Sequence, residues 1–352
     1  MKKFYIRVTD QCNLFCKHCY IPNDIRTKKK SFLSPDQVKF IVFKGVEELL
    51  YSRNNENEFL NIIFTGGEPM LVGVDYYKSI LSDIEKIKNE KVSFSMTTNL
   101  MLYSSKWDFI FQNLFGGVVG TSYSLTRQTV NGFDDFEKIW LKNYERVREK
   151  FNVSIIFTLD KIFISQNVEF WINKIKQLEP HSCSFEWFIP AYDEIENSEI
   201  YSSVDEYFDY LCKLFSALKE SGIKNVKIKQ LRPNFNMFSK DSSCLDENLV
   251  INPDGSVGIC PALTVNGFVS GNIFYESIHK LLNKKERIDM INMLLKTPKE
   301  CEDCRFVAVC NYGCPALIFL GKIQRNNCKK FFEFLEKHYF EEASHDDAIF
   351  YC

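Results

Sequence analysis

The sequence carries almost no net charge and no long apolar run. Its 44 basic and 46 acidic residues leave a formal charge of −2, which gives no electrostatic reason to expect nucleic acid or a membrane as a partner. No apolar run reaches transmembrane length, and Lys2, Lys3 and Arg7 interrupt the N-terminus before the apolar core of a signal peptide can form. These absences predict a cytoplasmic protein.

The composition excludes a disordered chain. Hydrophobic residues make up 45% of the 352 residues and aromatic residues 15%, enough to build a large core. Thirteen cysteines in a reducing compartment favour metal ligation over the disulfides expected of a short secreted chain. The spacing of these cysteines is therefore the main guide to function.

The first three cysteines form a Cx3CxxC cluster on one short segment. Cys12, Cys16 and Cys19 follow an alternating apolar stretch, Phe4 to Val8, that predicts a strand. Three thiolates on one loop can hold three irons of a [4Fe-4S] cluster, which leaves the fourth iron open to a small molecule. A zinc site is the alternative, but zinc needs a fourth ligand, and His18 lies between two of the cysteines on a tight loop.

A second motif follows the next apolar stretch. The run Thr65-Gly66-Gly67-Glu68-Pro69 comes directly after Leu60 to Phe64, and its two glycines let the backbone approach a ligand closely. Together and in this order, the two motifs resemble the radical SAM signature and its GGEP element. The resemblance implies S-adenosylmethionine (SAM) on the open iron, with Gly66 and Gly67 presenting backbone groups to its ammonium and Glu68 supporting it. His18 fills the aromatic-type position before the third cysteine.

Two polar residues at the ends of predicted strands, Asn99 and Ser124, would by resemblance contact the ribose of SAM. Helix capping and turn formation are their alternative roles. Many relatives carry Ser-Leu-Asp-Gly where this chain has Ser124-Leu125-Thr126-Arg127. Arg127 could receive a carboxylate of SAM or substrate, because its planar fork pairs bidentately; a solvated surface arginine is the simpler interpretation.

The first 230 residues alternate apolar strands with amphipathic stretches, as parallel βα units do. This pattern predicts the α/β fold class, and the resemblance implies a partial (β/α)6, TIM-like barrel over residues 1–230 with its site at the carboxyl ends of the strands. Predicted strands are Phe4 to Val8, Leu60 to Thr65, Val92 to Thr97, Val118 to Leu125, Val153 to Leu159 and Cys183 to Ile189. Predicted helices include Pro35 to Leu50, Tyr76 to Lys88, Phe136 to Lys150 and Val168 to Leu178.

Seven cysteines near the C-terminus follow a second strict spacing. The run Asn252-Pro253-Asp254-Gly255 predicts a tight turn between short strands at Leu249 to Ile251 and Val257 to Ile259. The whole pattern resembles a SPASM domain, which we place at residues 231–335, followed by a tail at 336–352. The seven cysteines are Cys244, Cys260, Cys301, Cys304, Cys310, Cys314 and Cys328.

The SPASM resemblance implies two auxiliary [4Fe-4S] clusters, and so three clusters in all. Cluster I would be held by Cys244, Cys260 and Cys314. Two full clusters need eight ligands, so cluster I has an open site or a further donor, for which Asp241, Cys183 and Cys212 are candidates. A closed tetrahedral zinc site is the alternative to the auxiliary clusters. Its four ligands would be Cys301, Cys304, Cys310 and Cys314. By resemblance, cluster II is held by Cys301, Cys304, Cys310 and Cys328.

The resemblance implies a radical SAM oxidoreductase that generates a 5′-deoxyadenosyl radical. The favoured substrate is a side chain of a ribosomally made peptide or a protein, and the favoured outcome is an oxidative carbon-carbon or thioether crosslink. The alternatives are a metabolite or sugar substrate, a sulfatase-maturing-like enzyme, and a zinc-stabilised or electron-transfer protein without catalysis. The sulfatase branch is disfavoured because Pro261 follows Cys260 where that branch carries an aspartate.

The expected partners are the peptide or protein substrate and an external electron donor of flavodoxin or ferredoxin type. Only eleven residues precede Cys12, so a leader-binding domain is not expected within this chain. A separate leader-binding protein, direct reading of the core peptide, or a small-molecule substrate would each account for that. No catalytic acid or base is assigned. Four candidates lie near predicted strand ends, where acidic residues usually cap helices or face solvent: Asp10, Glu186, Tyr192 and Asp193.

Overall fold

The computed structural model describes ten stretches of the chain: residues 2–28, 31–50, 59–85, 87, 91–188, 199–228, 248–264, 267–294, 302–306 and 326–340. Nine residues named above lie outside the described residues: Lys88, Ile189, Tyr192, Asp193, Asp241, Cys244, Cys301, Cys310 and Cys314.

One ten-stranded sheet organises the described residues. Its spatial order is β10-β9-β8-β1-β2-β3-β4-β5-β6-β7, and β1 to β7 run parallel, as does the pair of β8 and β1. The strands are β1 (Lys2–Thr9), β2 (Leu60–Gly66), β3 (Val92–Thr98), β4 (Val118–Tyr123), β5 (Asn152–Leu159), β6 (Ser182–Trp187), β7 (Lys227–Ile228), β8 (Asn248–Ile251), β9 (Ser256–Gly258) and β10 (Val269–Asn272).

The helices before β7 connect the parallel strands, and those from Pro261 onward follow the hairpin. They are α1 (Asn23–Lys28), α2 (Pro35–Gly45), α3 (Val74–Ile84), α4 (Asp108–Asn113), α5 (Phe133–Arg148), α6 (Lys161–Ser165), α7 (Val168–Leu178), α8 (Val204–Glu220), α9 (Pro261–Thr264), α10 (Ile278–Leu282), α11 (Lys285–Leu294) and α12 (Asn326–Leu335). Short 3-10 or π turns occupy Val46–Leu50, Pro69–Val72, Ser105–Trp107 and Glu336–Phe340. Across the described ranges, no helix has both the length and the apolar character needed to cross a membrane.

Side-chain periodicity explains why these elements form. Residues of β5 alternate between buried and half-buried along most of the strand, the period-2 pattern of a sheet. Helix α5 buries Phe136, Trp140, Tyr144 and Val147, spaced at three and four residues along one face. Both faces of the sheet therefore contribute to one apolar core.

The predicted α/β fold class is confirmed, and each predicted strand and helix has a counterpart. The main difference is at β4, which ends at Tyr123 instead of Leu125. The residues after Tyr123 leave the sheet because they bond to the cysteine loop instead: the N–H of Phe15 donates to the carbonyl of Gln128 at 2.8 Å, and that of Lys17 to Thr126 at 3.3 Å.

The predicted C-terminal hairpin forms and joins the barrel sheet. Strand β8 pairs with β1 on one side and with β9 on the other. Gly255 supplies the turn with a φ of +79°, a conformation that favours glycine. The buried Arg7 of β1 donates to the Asn252 side chain at 2.8 Å and pairs with Asp10. The hairpin that carries Cys260 is thereby fixed to the strand that delivers the first cysteine loop.

Replacing Arg7 with methionine should therefore destabilise the protein by about 3 kcal/mol, because it leaves the buried Asp10 carboxylate without its cation. Urea unfolding followed by circular dichroism under anaerobic conditions measures the loss. The double variant Arg7→Met with Asp10→Asn is the matched control and should recover much of it. Equal stability of the single variant and the parent would contradict this role of Arg7.

Candidate active site at the carboxyl ends of the strands

A cavity of about 490 Å³ lies at the carboxyl ends of the parallel strands. It brings together most of the residues that the two N-terminal motifs predicted: Cys12, Cys16, His18, Cys19, Gly66, Gly67, Glu68 and Asn99. Cys260, which follows the β8–β9 hairpin, also lines this cavity. Further lining residues not assigned from sequence include Tyr20, Arg26, Thr98, Ser122, Thr158, Trp187, Phe188 and Ala262.

The cysteine loop and the GGEP turn are joined through their backbones. The N–H of Gly67 donates to the carbonyl of Thr9 at 2.8 Å, and that of Glu68 to Gln11 at 2.8 Å. These bonds continue the β1–β2 pairing past the strand ends. The loop that begins at Cys12 is therefore positioned by the turn after β2.

The two glycines of this turn have a steric role. A Cβ on Gly66 would collide with the carbonyl oxygen of Thr9, and one on Gly67 with the carbonyl oxygen of Gln11. Gly66 also has a φ of +149°. The close approach of the two backbones thus requires glycine at both positions, while contact of these glycines with the SAM ammonium remains a prediction.

Glu68 ties the GGEP turn to the end of β3. Its carboxylate, 1% exposed, accepts from the N–H of Met70 at 2.9 Å, the hydroxyl of Thr98 at 2.7 Å and the N–H of Asn99 at 2.7 Å. Burial raises its pKa, against the lowering effect of these donors. The carboxylate is thus a structural clamp between two strand ends.

The two predicted ribose contacts lie in different places. The side chain of Asn99 donates to Asn13 at 2.8 Å, with Cys12 Sγ at 3.8 Å, so it touches the cysteine loop at the cavity wall. Ser124 is fully buried and does not line the cavity; its hydroxyl bonds to Thr126 and Asp160. Ser122, within β4, lines the cavity instead.

His18 is held at the cavity wall by a buried polar chain. Its Nδ1 lies 2.6 Å from Thr126 Oγ1, which lies 2.6 Å from Asp160 Oδ2. Burial lowers the pKa of His18, and the nearby Arg127 and Arg26 lower it further. Both effects favour the neutral imidazole.

Two arginines line the cavity. Arg127 reaches Cys16 Sγ at 4.0 Å and donates to Ser122, and Arg26 donates to the carbonyl of Leu14 at 3.0 Å. The Nε atoms of both arginines are buried, with no hydrogen-bond partner among the described residues. Cations placed here favour thiolates and other anionic groups.

The donor set fits an iron-sulfur cluster. Three soft sulfur donors border one cavity, as cluster ligation requires. Burial raises the pKa of Cys12 to about 12 and also raises that of Cys19, so a bound metal would have to displace the thiol protons. Within the described ranges, no three His, Cys, Asp or Glu side chains are grouped as ligands of a single metal ion.

Four further cysteines lie within the described residues. Cys183 is buried in β6, and Cys212 lies half-buried in α8. Cys304 and Cys328 pack partly buried against the main core. The ligand sets assigned to the two auxiliary clusters therefore stay predictions.

Comparison with known proteins agrees with this site. Residues 243–305 match the SPASM family, described as an iron-sulfur cluster-binding domain. The cysteine-type anaerobic sulfatase-maturating enzyme of Clostridium perfringens is 25% identical, with 86% of this chain and 85% of that protein covered. The chain therefore carries a SPASM domain and is similar over most of its length to a maturating enzyme.

Solved structures share the fold of this chain. The structure of anSMEcpe with bound AdoMet has a TM-score of 0.79 at 19% identity, covering 96% of this chain and 93% of that one. Streptococcus suis SuiB bound to the precursor peptide SuiA has a TM-score of 0.64 at 16% identity, covering 90% and 72%.

The predicted cofactors agree with these comparisons: residues 243–305 match an iron-sulfur cluster-binding domain, and the similar anSMEcpe structure contains AdoMet. Cys12, Cys16 and Cys19 would hold the SAM-binding cluster, and the SPASM cysteines the auxiliary ones. The boundaries at residues 230 and 335 remain predictions.

Replacing Glu68 with glutamine should weaken SAM binding at least about tenfold, because an amide N–H₂ would face backbone or hydroxyl donors that now bond to a carboxylate. Isothermal titration of SAM into the anaerobically reconstituted protein measures this, alongside iron per chain. The exposed Glu149→Gln is the matched control. Unchanged SAM affinity and iron content in Glu68→Gln would show that the clamp is dispensable.

Proposed function

We propose that this protein is a radical SAM maturase of the sulfatase-maturating type that oxidises a cysteine side chain within a peptide segment. The observation that carries the proposal is the likeness to cysteine-type sulfatase-maturating enzymes over 86% of the chain. It favours the sulfatase-maturing alternative over the crosslinking interpretation made from sequence. An external electron donor and a separate leader-binding protein remain part of the proposal.

The cavity supports a peptide substrate. It is bordered on one side by the cysteine loop and on another by the hairpin residues Cys260, Pro261 and Ala262, so a substrate there would lie between the first cluster site and the SPASM domain. When bound, SAM and its cluster supply hydrogen-atom abstraction, and the auxiliary clusters supply an acceptor for an electron.

The oxidation balances with these parts. A cysteine CH₂–SH group loses one hydrogen as an atom and a second as a proton plus an electron, which leaves a C=S bond. Water then replaces sulfur with oxygen and releases hydrogen sulfide. The protein must supply an acceptor for the proton.

Glu186 is the residue we assign to this proton. Two carboxylates line the described part of the cavity: Glu68 is buried and joins two strand ends, and Glu186 is an exposed side chain near the end of β6. Pro261 and Ala262 occupy the wall beside Cys260, where the sulfatase branch would carry its aspartate. Glu186, which lies in β6, would therefore take the role of the aspartate that the sulfatase branch carries after this cysteine.

The direct test is a peptide assay with cysteine, serine and alanine at the target position. We expect the reconstituted enzyme, with SAM and dithionite, to convert the cysteine peptide to a product whose mass reflects exchange of sulfur for oxygen and loss of two hydrogens. The alanine peptide is the matched control and should stay unmodified. A product that loses two hydrogens while keeping its sulfur would instead support crosslinking.

Replacing Glu186 with glutamine should lower product formation at least about 100-fold, within the range for a lost general base, while SAM cleavage continues. Measuring 5′-deoxyadenosine and aldehyde product in the same reaction distinguishes a loss of product formation from a loss of SAM cleavage. Pro261→Asp restores an acid after Cys260 and should recover activity in the Glu186→Gln background. Full coupling of SAM cleavage to product in Glu186→Gln would exclude this residue as the base.

A further inference from the structure

Asp160 is a fully buried carboxylate directly after β5 that the sequence did not assign. Its Oδ1 accepts from the N–H of Phe163 at 2.9 Å and caps α6. Its Oδ2 accepts from the hydroxyls of Ser124 at 3.0 Å and Thr126 at 2.6 Å. Thr126 stands where many relatives carry an acid, so a carboxylate from the next strand supplies the charge that this position lacks.

Counting hydrogens along this chain fixes the direction of each bond. A carboxylate only accepts, and a threonine hydroxyl has one proton. Because that proton goes to Asp160, Thr126 Oγ1 is an acceptor for His18 Nδ1, 2.6 Å away. With Asp160 ionised, a neutral His18 therefore carries its hydrogen on Nδ1, which leaves Nε2 as an acceptor.

The same chain also fixes the cysteine loop in space. The carbonyl of Thr126 accepts from the N–H of Lys17 at 3.3 Å, so Thr126 holds the loop through its backbone and its side chain. The imidazole lies on the cavity wall with its edge toward Phe188, at a centroid distance of 6.5 Å. A substitution at Asp160 would thus alter the cavity through the His18 imidazole.

We propose that Asp160 is a positioning residue that acts through Thr126 to hold His18 in its Nδ1–H form, so that Nε2 accepts a hydrogen bond from an N–H or O–H group of SAM in the cavity. This inference concerns the cofactor side of the site. It does not depend on the identity of the peptide substrate.

The variant Asp160→Asn tests the direction of the hydrogen bonds between Asp160, Thr126 and His18 while keeping the cap on α6. The asparagine oxygen can still accept from Phe163, but its N–H₂ donates toward Thr126, whose own proton then turns to His18. The ring would shift to its Nε2–H form and present a donor in place of an acceptor. We expect SAM affinity, measured by isothermal titration, to fall at least about tenfold with iron content and melting temperature unchanged.

Two further measurements separate positioning from a general structural role. Thr126→Val should weaken SAM binding to a similar degree and Thr126→Ser should bind like the parent, which keeps the test valid if Asp160→Asn loses iron. In a His18→Phe background, Asp160→Asn should have no added effect on SAM affinity. The electron paramagnetic resonance spectrum of the reduced cluster should respond to SAM in the parent and less in Asp160→Asn.

Parent-like SAM affinity in both Asp160→Asn and Thr126→Val would overturn the proposal. So would a full effect of Asp160→Asn in the His18→Phe background, because Asp160 would then act by a route that bypasses the imidazole. Neither result would bear on the peptide assay, so failure of this inference and failure of the proposed function can be told apart.

Discussion

The site depends on the close approach of two backbones beyond the ends of β1 and β2. The hydrogen bonds from Gly67 to Thr9 and from Glu68 to Gln11 exist because neither glycine carries a Cβ. This contact orients Glu68, whose carboxylate in turn fixes the end of β3. The start of the cysteine loop, the GGEP turn and Asn99 therefore form one unit.

The opposite side of the cavity is fixed by different contacts. The segment after β4 bonds to the cysteine loop through Thr126 and Gln128, and Asp160 anchors that segment to β5. The hairpin enters as a continuation of the barrel sheet beside β1, which brings Cys260 to the cavity. The cavity and its lining thus follow from the pairing of the strands as well as from the loops that follow them.

Most strands, helices and motif positions could be predicted because they depend on local sequence patterns. The alternation of β5, the Cx3CxxC spacing and the Gly255 turn each report on a few neighbouring residues. The surroundings of individual side chains could not be predicted, because they depend on contacts between segments that are distant in sequence. Ser124 was expected in the cavity because β4 was predicted two residues too long, and its pairing with Asp160 joins two strands that sequence patterns treat separately. Glu186 could be placed near a strand end, but its facing the cavity is a property of the assembled barrel.

The central claim is that Cys12, Cys16 and Cys19 support a SAM-cleaving cluster beside two auxiliary clusters. The most direct measurement is an anaerobic assay of the reconstituted protein with dithionite and SAM that follows 5′-deoxyadenosine and counts iron and sulfide per chain. The account predicts deoxyadenosine and about twelve irons, the sum of three four-iron clusters. Bound zinc with little iron, and no deoxyadenosine, would contradict it.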